Sequence, residues 1–217
     1  MPRSAAAIPA EPPRSDAVEI VDRETCFAGF FRIDRYRFRH RLYRGDWSPE
    51  LSREVFSRGR AVGLLLYDPA RDALVLVEQF RLAAHLAGWS AWQLEVVAGI
   101  VEDNGESDPE VARREAREEA GLDIEGNLLP VHDFLTSPGG TTETVALFCG
   151  RVDAGAAGGV HGLAEENEDI KVVVKPYAEV MRLRRAGRIE NAVTLIALYW
   201  LAANRARLRR LWRTPGR

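Results

Sequence analysis

Apolar residues along this 217-residue chain fall into two patterns, short runs closed by turn residues and stripes recurring every three or four positions. The first pattern predicts strands and the second predicts helices. Residues 18–41 alternate and are aromatic-rich, with Phe30, Phe31, Tyr36 and Phe38 set among Arg and Asp, which predicts two or three antiparallel strands. Residues 52–59 resemble another short strand. A sheet this small buries little by itself, so it is expected to pack on the rest of the chain or on a second copy. The runs 61–67 and 73–80, joined by Asp68-Pro69-Ala70-Arg71-Asp72, predict a hairpin. Further strands are expected at 92–98, 128–135, 142–152 and 172–174, with helices at 176–186 and from 191 to about 212. In the last helix Val193, Ile196, Ala197, Trp200, Leu201, Leu208, Leu211 and Trp212 form a stripe that reads as core packing. Strands alternating with helices in this order suit an α/β/α sandwich around a mixed sheet.

Composition narrows the class. With 46% hydrophobic and 29% charged residues the chain is a globular protein with one good-sized core or two small ones. A formal net charge of -2 predicts no general attraction to nucleic acid or to an acidic membrane. The longest apolar stretch, 192–203, is too short to span a bilayer, and residues 1–16 lack the apolar segment of a signal peptide and read as a disordered leader. A cytoplasmic protein is expected. Cys26 and Cys149 match no metal or redox spacing and read as buried free thiols.

The chemistry concentrates in residues 95–122. Ser107 or Asp108 can cap a helix there, Pro109 falls in its first turn, Ser107 and Glu110 fit a capping box, and Gly121 supplies the stop. Helix geometry puts Glu115, Glu118 and Glu119 within an arc of about 100° beside an apolar strip of Ala112, Ala116 and Ala120. Like charges at these spacings cost about 0.2–0.5 kcal/mol per pair, a cost that a bound cation reverses. The other reading is a solvated helix in which Glu110 pairs with Arg114, or Arg114 with Glu118.

Gly99, Glu106, Arg114-Glu115-Ala116, Glu118-Glu119 and Gly121-Leu122 resemble the Nudix box, the signature of hydrolases that cleave nucleoside diphosphates linked to another moiety. Six residues separate Gly99 from Glu106 where the family usually has five, the extra one lying in the turn at 102–105. The likeness to the bacterial ADP-ribose pyrophosphatase branch extends from about residue 18 to 200. It is carried by Glu78-Gln79-Phe80-Arg81, Ser137-Pro138-Gly139-Gly140-Thr141 and the stretch 161–170, with Pro138 lying 16 residues beyond Leu122.

This resemblance implies a Nudix α/β/α domain over residues 60–213. It also implies an N-terminal β-sheet domain over 17–59 that is exchanged in a homodimer. The Ala98 carbonyl and the carboxylates of Glu115, Glu119 and Glu168 would hold Mg²⁺, with Mn²⁺ as the alternative. Glu166 matches the general base, and Glu118 is the further catalytic candidate. The bare charge run around Glu166 also reads as a solvated acidic surface. Phe30 and Phe31 would stack on adenine and Arg81 would meet the phosphates. Ile100, Ser137, Pro138, Gly139 and Glu143 would line the sugar end of the pocket, while Arg53, Glu54 and Arg58 would come from the second subunit.

The implied reaction is hydrolysis of ADP-ribose and related ADP-sugars to AMP and ribose 5-phosphate. GDP-mannose is the alternative substrate, and a non-catalytic nucleotide-sugar sensor is the alternative role. A sensor has no need to retain Glu115, Glu118, Glu119 and Glu166 together. A diphosphate repels nucleophiles, so cations must screen it and a carboxylate must take a proton from the attacking water. No P-loop or serine triad suggests another chemistry.

Overall fold

Residues 18–41 give two strands in the computed structural model, which describes residues 17–163 and 167–212. These are β1 (Val18–Ala28) and β2 (Arg32–His40), and β2 also pairs antiparallel with β3 (Leu51–Ser57). One face of this three-stranded sheet is a charge ladder in which Arg35 bridges Glu24 and Glu54 and Arg37 bridges Asp22 and Glu50. On the other face the fully buried Asp34 accepts hydrogen bonds from Arg23, Thr25 and Ser57. Every residue of β1 is exposed within the chain, Val18, Ile20 and Phe27 by half or more of their surface. Cys26 lies on this strand and is exposed, against expectation, whereas Cys149 is buried.

The described residues up to Arg58, together with Ser137–Thr142, form one compact unit, and Gly59–Thr136 with the residues from Glu143 onward form a second. The Ser137–Thr142 loop joins the first unit because Phe56 N–H donates to the Gly140 carbonyl at 2.8 Å and Thr142 N–H donates to the Phe56 carbonyl at 3.0 Å. These two bonds extend β3 by a further rung.

In the second unit the hairpin forms as expected from β4 (Arg60–Asp68) and β5 (Ala73–Phe80). The two strands pair only over Leu66–Asp68 and Ala73–Val75 and then diverge. The next chain segment fills the fork. After a short helix, α1 (Leu82–Leu86), which the pattern did not anticipate, β6 (Trp92–Glu95) pairs with β5 and β7 (Val97–Ile100) pairs with β4. The single strand expected at 92–98 is therefore two, because pairing passes from one arm of the fork to the other at Val96. The Val96 amide, between the two ladders, donates to the Thr194 hydroxyl at 3.0 Å.

The remaining elements are α2 (Asp108–Ala120), β8 (Glu125–Leu135), β9 (Thr144–Arg151), β10 (Val160–His161), β11 (Ile170–Pro176), α3 (Tyr177–Arg185) and α4 (Ala192–Leu211). The sheet runs β10-β11-β5-β4-β9-β8, with β4 and β9 parallel and the other pairs antiparallel, so it is mixed. Alternation along β4 sorts two cores. Leu64 and Leu66 pack with Val111, Ala112, Ala116 and Ala120 of α2 on one face. Leu65 and Tyr67 pack with Val180, Met181, Ala197, Leu198 and Leu201 of α3 and α4 on the other. Each buried leucine contributes about 1.5–3 kcal/mol, and this burial fixes the α/β/α layering.

One expectation for α4 changes. Leu211 is exposed while the buried line runs through Thr194, Ala197, Leu198, Leu201 and Leu208. Near the C-terminal end of the same helix Arg205 donates to Asp72 through Nε at 2.7 Å and through Nη2, and its guanidinium lies 4.4 Å from the Tyr177 ring. Among the described residues no helix is long and apolar enough to cross a membrane.

Candidate active site

The site starts from how α2 begins and ends. Ser107 is the N-cap, and both its N–H and its hydroxyl donate to the Glu110 carboxylate, at 2.8 and 2.6 Å. Arg60 of β4 holds the first turn from outside, its Nε donating to both Asp108 oxygens at 2.8 and 3.0 Å. At the far end Gly121 adopts φ +63°, a left-handed conformation that glycine takes without strain, and a Cβ there would meet the His161 ring at 2.6 Å. A helix so pinned presents fixed positions to β7.

Three glutamates on α2 have separate surroundings. Glu119 is 3% exposed and accepts the Ala98 N–H at 3.1 Å, which brings the β7 backbone against its carboxylate. Glu115, also buried, lies against Gly99, and Arg114 Nη1 is 3.0 Å from its Oε1. Glu118 is less buried and accepts from Arg114 at 2.7 Å, while Glu106 approaches the same guanidinium at 3.4 Å. The pairing of Arg114 with Glu118 expected of a solvated helix is thus present, but the helix is not simply solvated, since Glu115 and Glu119 face the sheet.

Glu168 enters from the loop before β11. Its N–H donates to the Leu163 carbonyl and its carboxylate accepts the Leu163 N–H, both at 3.2 Å, and the Gly162 N–H donates to the Glu118 carbonyl at 3.1 Å. Glu166, the expected general base, lies with Ala164 and Glu165 outside the described residues.

Burial pushes the Glu119 carboxyl up to about 8. The charges of Glu115 and Glu168 act in the same direction within that net value, while the Ala98 hydrogen bond and the positive charge of Arg81 oppose the rise. Among the described residues no three His, Cys, Asp or Glu side chains converge as a finished metal cage. The donor chemistry nonetheless fits a hard divalent cation, because all the candidate donors are oxygens and a buried carboxylate that binds a proton this readily lacks positive compensation.

Arg81 and Ile100 belong to this same unit. Arg81 follows β5 and pairs with the buried Glu95 at 2.8 Å, and Ile100 is exposed at the end of β7. Glu143 stands at the neck of the 137–142 loop, where Thr136 N–H reaches its carbonyl at 3.4 Å. The other substrate candidates lie in the first unit. Phe30 and Phe31 meet edge to face at 4.8 Å, Phe31 meets Phe56 at 4.9 Å, and the Arg58 guanidinium lies 5.3 Å from the Phe31 ring. Phe56 also carries the loop of Ser137, Pro138 and Gly139, so aromatics, arginine and loop are gathered there. Arg53 and Glu54 are exposed at mid-β3, with Glu54 paired to Arg35. Sequence reasoning missed Glu95 and Asn191, discussed below; the one signal was an acid embedded in an apolar strand.

Residues 57–194 match the NUDIX domain model. The chain is 50% identical over 195 residues to the ADP-ribose pyrophosphatase of Escherichia coli K12, covering 90% of this chain and 92% of that one. It is 32% identical over 189 residues to the GDP-mannose pyrophosphatase of Pectobacterium atrosepticum, covering 85% and 93%. A crystal structure of an ADP compounds hydrolase superposes with a TM-score of 0.68 at 20% identity, over 89% of this chain and 97% of that one, a likeness of fold. With the domain match spanning the whole carboxylate cluster and near full-length agreement with curated relatives, the chain belongs to the Nudix hydrolase family.

Proposed function

We propose that this enzyme hydrolyses the diphosphate of ADP-ribose, and of related ADP-sugars, to AMP and ribose 5-phosphate. The observation that carries the reading is the buried, charge-starved carboxylate of Glu119, set against Ala98 with Glu115 and Glu168 close enough to raise its proton affinity. The choice of ADP-ribose over GDP-mannose is supported by the gap between 50% and 32% identity to the two kinds of relative.

The Ala98 carbonyl and the carboxylates of Glu115, Glu119 and Glu168 would hold Mg²⁺ or Mn²⁺, which would screen the diphosphate and acidify water. Glu166 takes the proton of the attacking water, with Glu118 next in line. Arg81 donates to the phosphate oxygens from beside the cluster. Phe30 and Phe31 stack on adenine, and Ser137, Pro138, Gly139, Ile100 and Glu143 surround the terminal ribose. Arg53, Glu54 and Arg58 serve the partner subunit's pocket. The wholly exposed β1, with Val18, Ile20, Val21 and Phe27 outward, supports a second copy as the cover of this sheet and hence a homodimer.

The test is a panel of ADP-ribose, other ADP-sugars and GDP-mannose with Mg²⁺, with the products identified. AMP and ribose 5-phosphate from ADP-ribose as the best substrate are expected; a preference for GDP-mannose, or no turnover of any of them, overturns the proposal.

A further inference from the structure

Arg81 reaches the carboxylate cluster from a mooring that runs back to the start of α4. Its Nε and Nη2 both donate to Glu95 Oε2, at 3.0 and 2.8 Å. The other oxygen of Glu95 accepts Asn191 Nδ2 at 2.9 Å. Asn191 is the N-cap of α4, its Oδ1 accepting Thr194 N–H at 2.9 Å and the Thr194 hydroxyl at 3.1 Å. The Thr194 oxygen in turn takes the Val96 amide at the point where β6 gives way to β7. A second contact runs alongside, two residues earlier on β6 and one residue earlier before α4, with Gln93 Nε2 donating to Glu190 Oε2 at 3.0 Å. Gln93 and Glu95 share a face of β6 by strand alternation, so two neighbouring residues of that strand grip the two residues preceding α4.

This arrangement is more specific than a helix cap requires. A cap needs only an acceptor for the first-turn amides, which Asn191 Oδ1 provides. The amide nitrogen of the same side chain is spent on Glu95, whose side chain is 6% exposed and which also holds the half-exposed Arg81. An arginine held through Nε and one Nη keeps three of its five N–H groups for an anion and loses the freedom to swing away. Glu95, which holds the guanidinium, lies three residues before Ala98, whose N–H meets the Glu119 carboxylate, so the mooring and the cluster share one short stretch of chain.

We infer that Asn191 and Glu95 are positioning residues for the proposed diphosphate hydrolysis, fixing the Arg81 guanidinium so that its free N–H edge meets the phosphates. The inference rests on the functional reading above for its kinetic consequences and on the geometry alone for its structural ones. Neither residue touches substrate. Misplacing a contact by about 1 Å can cost up to about a hundredfold, and part of this is recovered when the arginine remains nearby, so a loss of roughly tenfold is expected for each.

The experiment separates a cap from a mooring. Asn191→Ser keeps an acceptor suited to the cap but cannot reach Glu95. Its melting temperature should stay within a few degrees of the parent while KM for ADP-ribose rises about tenfold and kcat changes less than threefold. Glu95→Gln should do the same. In an Arg81→Ala background both substitutions should lose their effect, because the group they orient is gone. An independent readout is the Arg81 Nε–Hε resonance, identified by its absence from Arg81→Ala protein. It should shift in Asn191→Ser as the Glu95 contact loosens, whether or not ADP-ribose is the substrate. A parent enzyme inert toward ADP-ribose would overturn the functional reading, and the resonance would still decide the mooring. An unmoved resonance, or kinetic losses that add fully to that of Arg81→Ala, would overturn the inference; a fall in melting temperature matching the KM change would reduce Asn191 to a cap.

Discussion

Replacing Gly99 with alanine tests whether the position of Glu115 in the structure is its working position. Gly99 does not need glycine for its backbone, as it is not among the positive-φ residues. It needs glycine for space, since a Cβ there would stand 2.0 Å from Glu115 Oε1, 2.1 Å from its Cδ and 2.5 Å from its Cγ. Ordinary contact begins near 3.4 Å, so the carboxylate must retreat by more than an ångström. The obstacle is a side chain and not backbone, so relief takes a change of rotamer, costing about 0.5–1.5 kcal/mol. For a protein of this size that lowers the melting temperature by only about 2–6 °C. Function is less forgiving. Moving one of the proposed metal carboxylates by about 1 Å is expected to reduce turnover about a hundredfold and to shift the Mg²⁺ titration to higher concentration. Initial rates of ADP-ribose hydrolysis across a Mg²⁺ series, beside thermal melts of the same samples, measure both. Activity within threefold of the parent would refute the reasoning, and so would a melting temperature lowered by 15 °C, which would mean that Gly99 serves the fold and not the site.

Glu119→Gln should lower ADP-ribose turnover at least about a hundredfold and weaken the Mg²⁺ dependence, and unchanged activity would end the metal assignment. Glu166→Gln should lower turnover by about 10²–10⁴ while substrate and metal affinity stay within a few-fold, and a collapse of affinity instead would make Glu166 a ligand and Glu118 the next base to test. If Arg53 serves the other subunit, mixing Arg53→Ala and Glu119→Gln proteins under subunit exchange should restore one site per mixed dimer; no recovery, or a monomer by light scattering, contradicts the shared pocket. The Arg205 guanidinium, with a hydrogen bond from Tyr67, holds the Asp72 carboxyl below its ordinary 3.8 against the opposing effect of burial. The stabilisation is therefore present above about pH 4 and lost as pH falls through the lowered folded value, so Arg205→Ala should cost about 1 kcal/mol at pH 7 and progressively less as the pH is lowered below 4, by denaturant titration. A cost that does not change with pH would show that Arg205 acts through its packing on Tyr177.

What could be read in the sequence was what the chain states locally. The Ser107–Glu110 box, the Gly121 stop, the Asp68–Asp72 turn and the Ala112, Ala116, Ala120 strip depend on residues within one turn of each other, and the structure shows all of them. The mixed sheet followed from the order of elements. What stayed hidden depends on partners distant in sequence. No pattern within residues 92–98 says that β4 and β5 diverge, so the break at Val96 was invisible, as was a bond from Asn191 to Glu95 across 96 positions. Leu211 fitted the stripe of α4, but it is exposed while Leu208 in the same last turn is buried, so at Leu211 the apolar stripe is wider than the face that the core covers. The site was legible as a list of acids; that Glu115 and Glu119 turn inward while Glu118 stays with Arg114 depends on how closely α2 lies on β7.

The fork in the sheet bears on which lengths of this chain can vary. Residues 92–100 are read by two different neighbours, β5 before Val96 and β4 after it, and the residue between belongs to neither ladder. A residue inserted or deleted within this segment could not be absorbed by sliding one ladder, because the other would then present the wrong side of the pleat and carry Glu95 or Ala98 to the opposite face. Just beyond this segment, the turn at 102–105 is exposed and paired to nothing in the sheet, and it is here that the chain has one residue more than the usual spacing of the motif it resembles. The seam between strand and helix can therefore take up a change in length that the stretch holding Glu95 for Arg81 and Ala98 for Glu119 cannot.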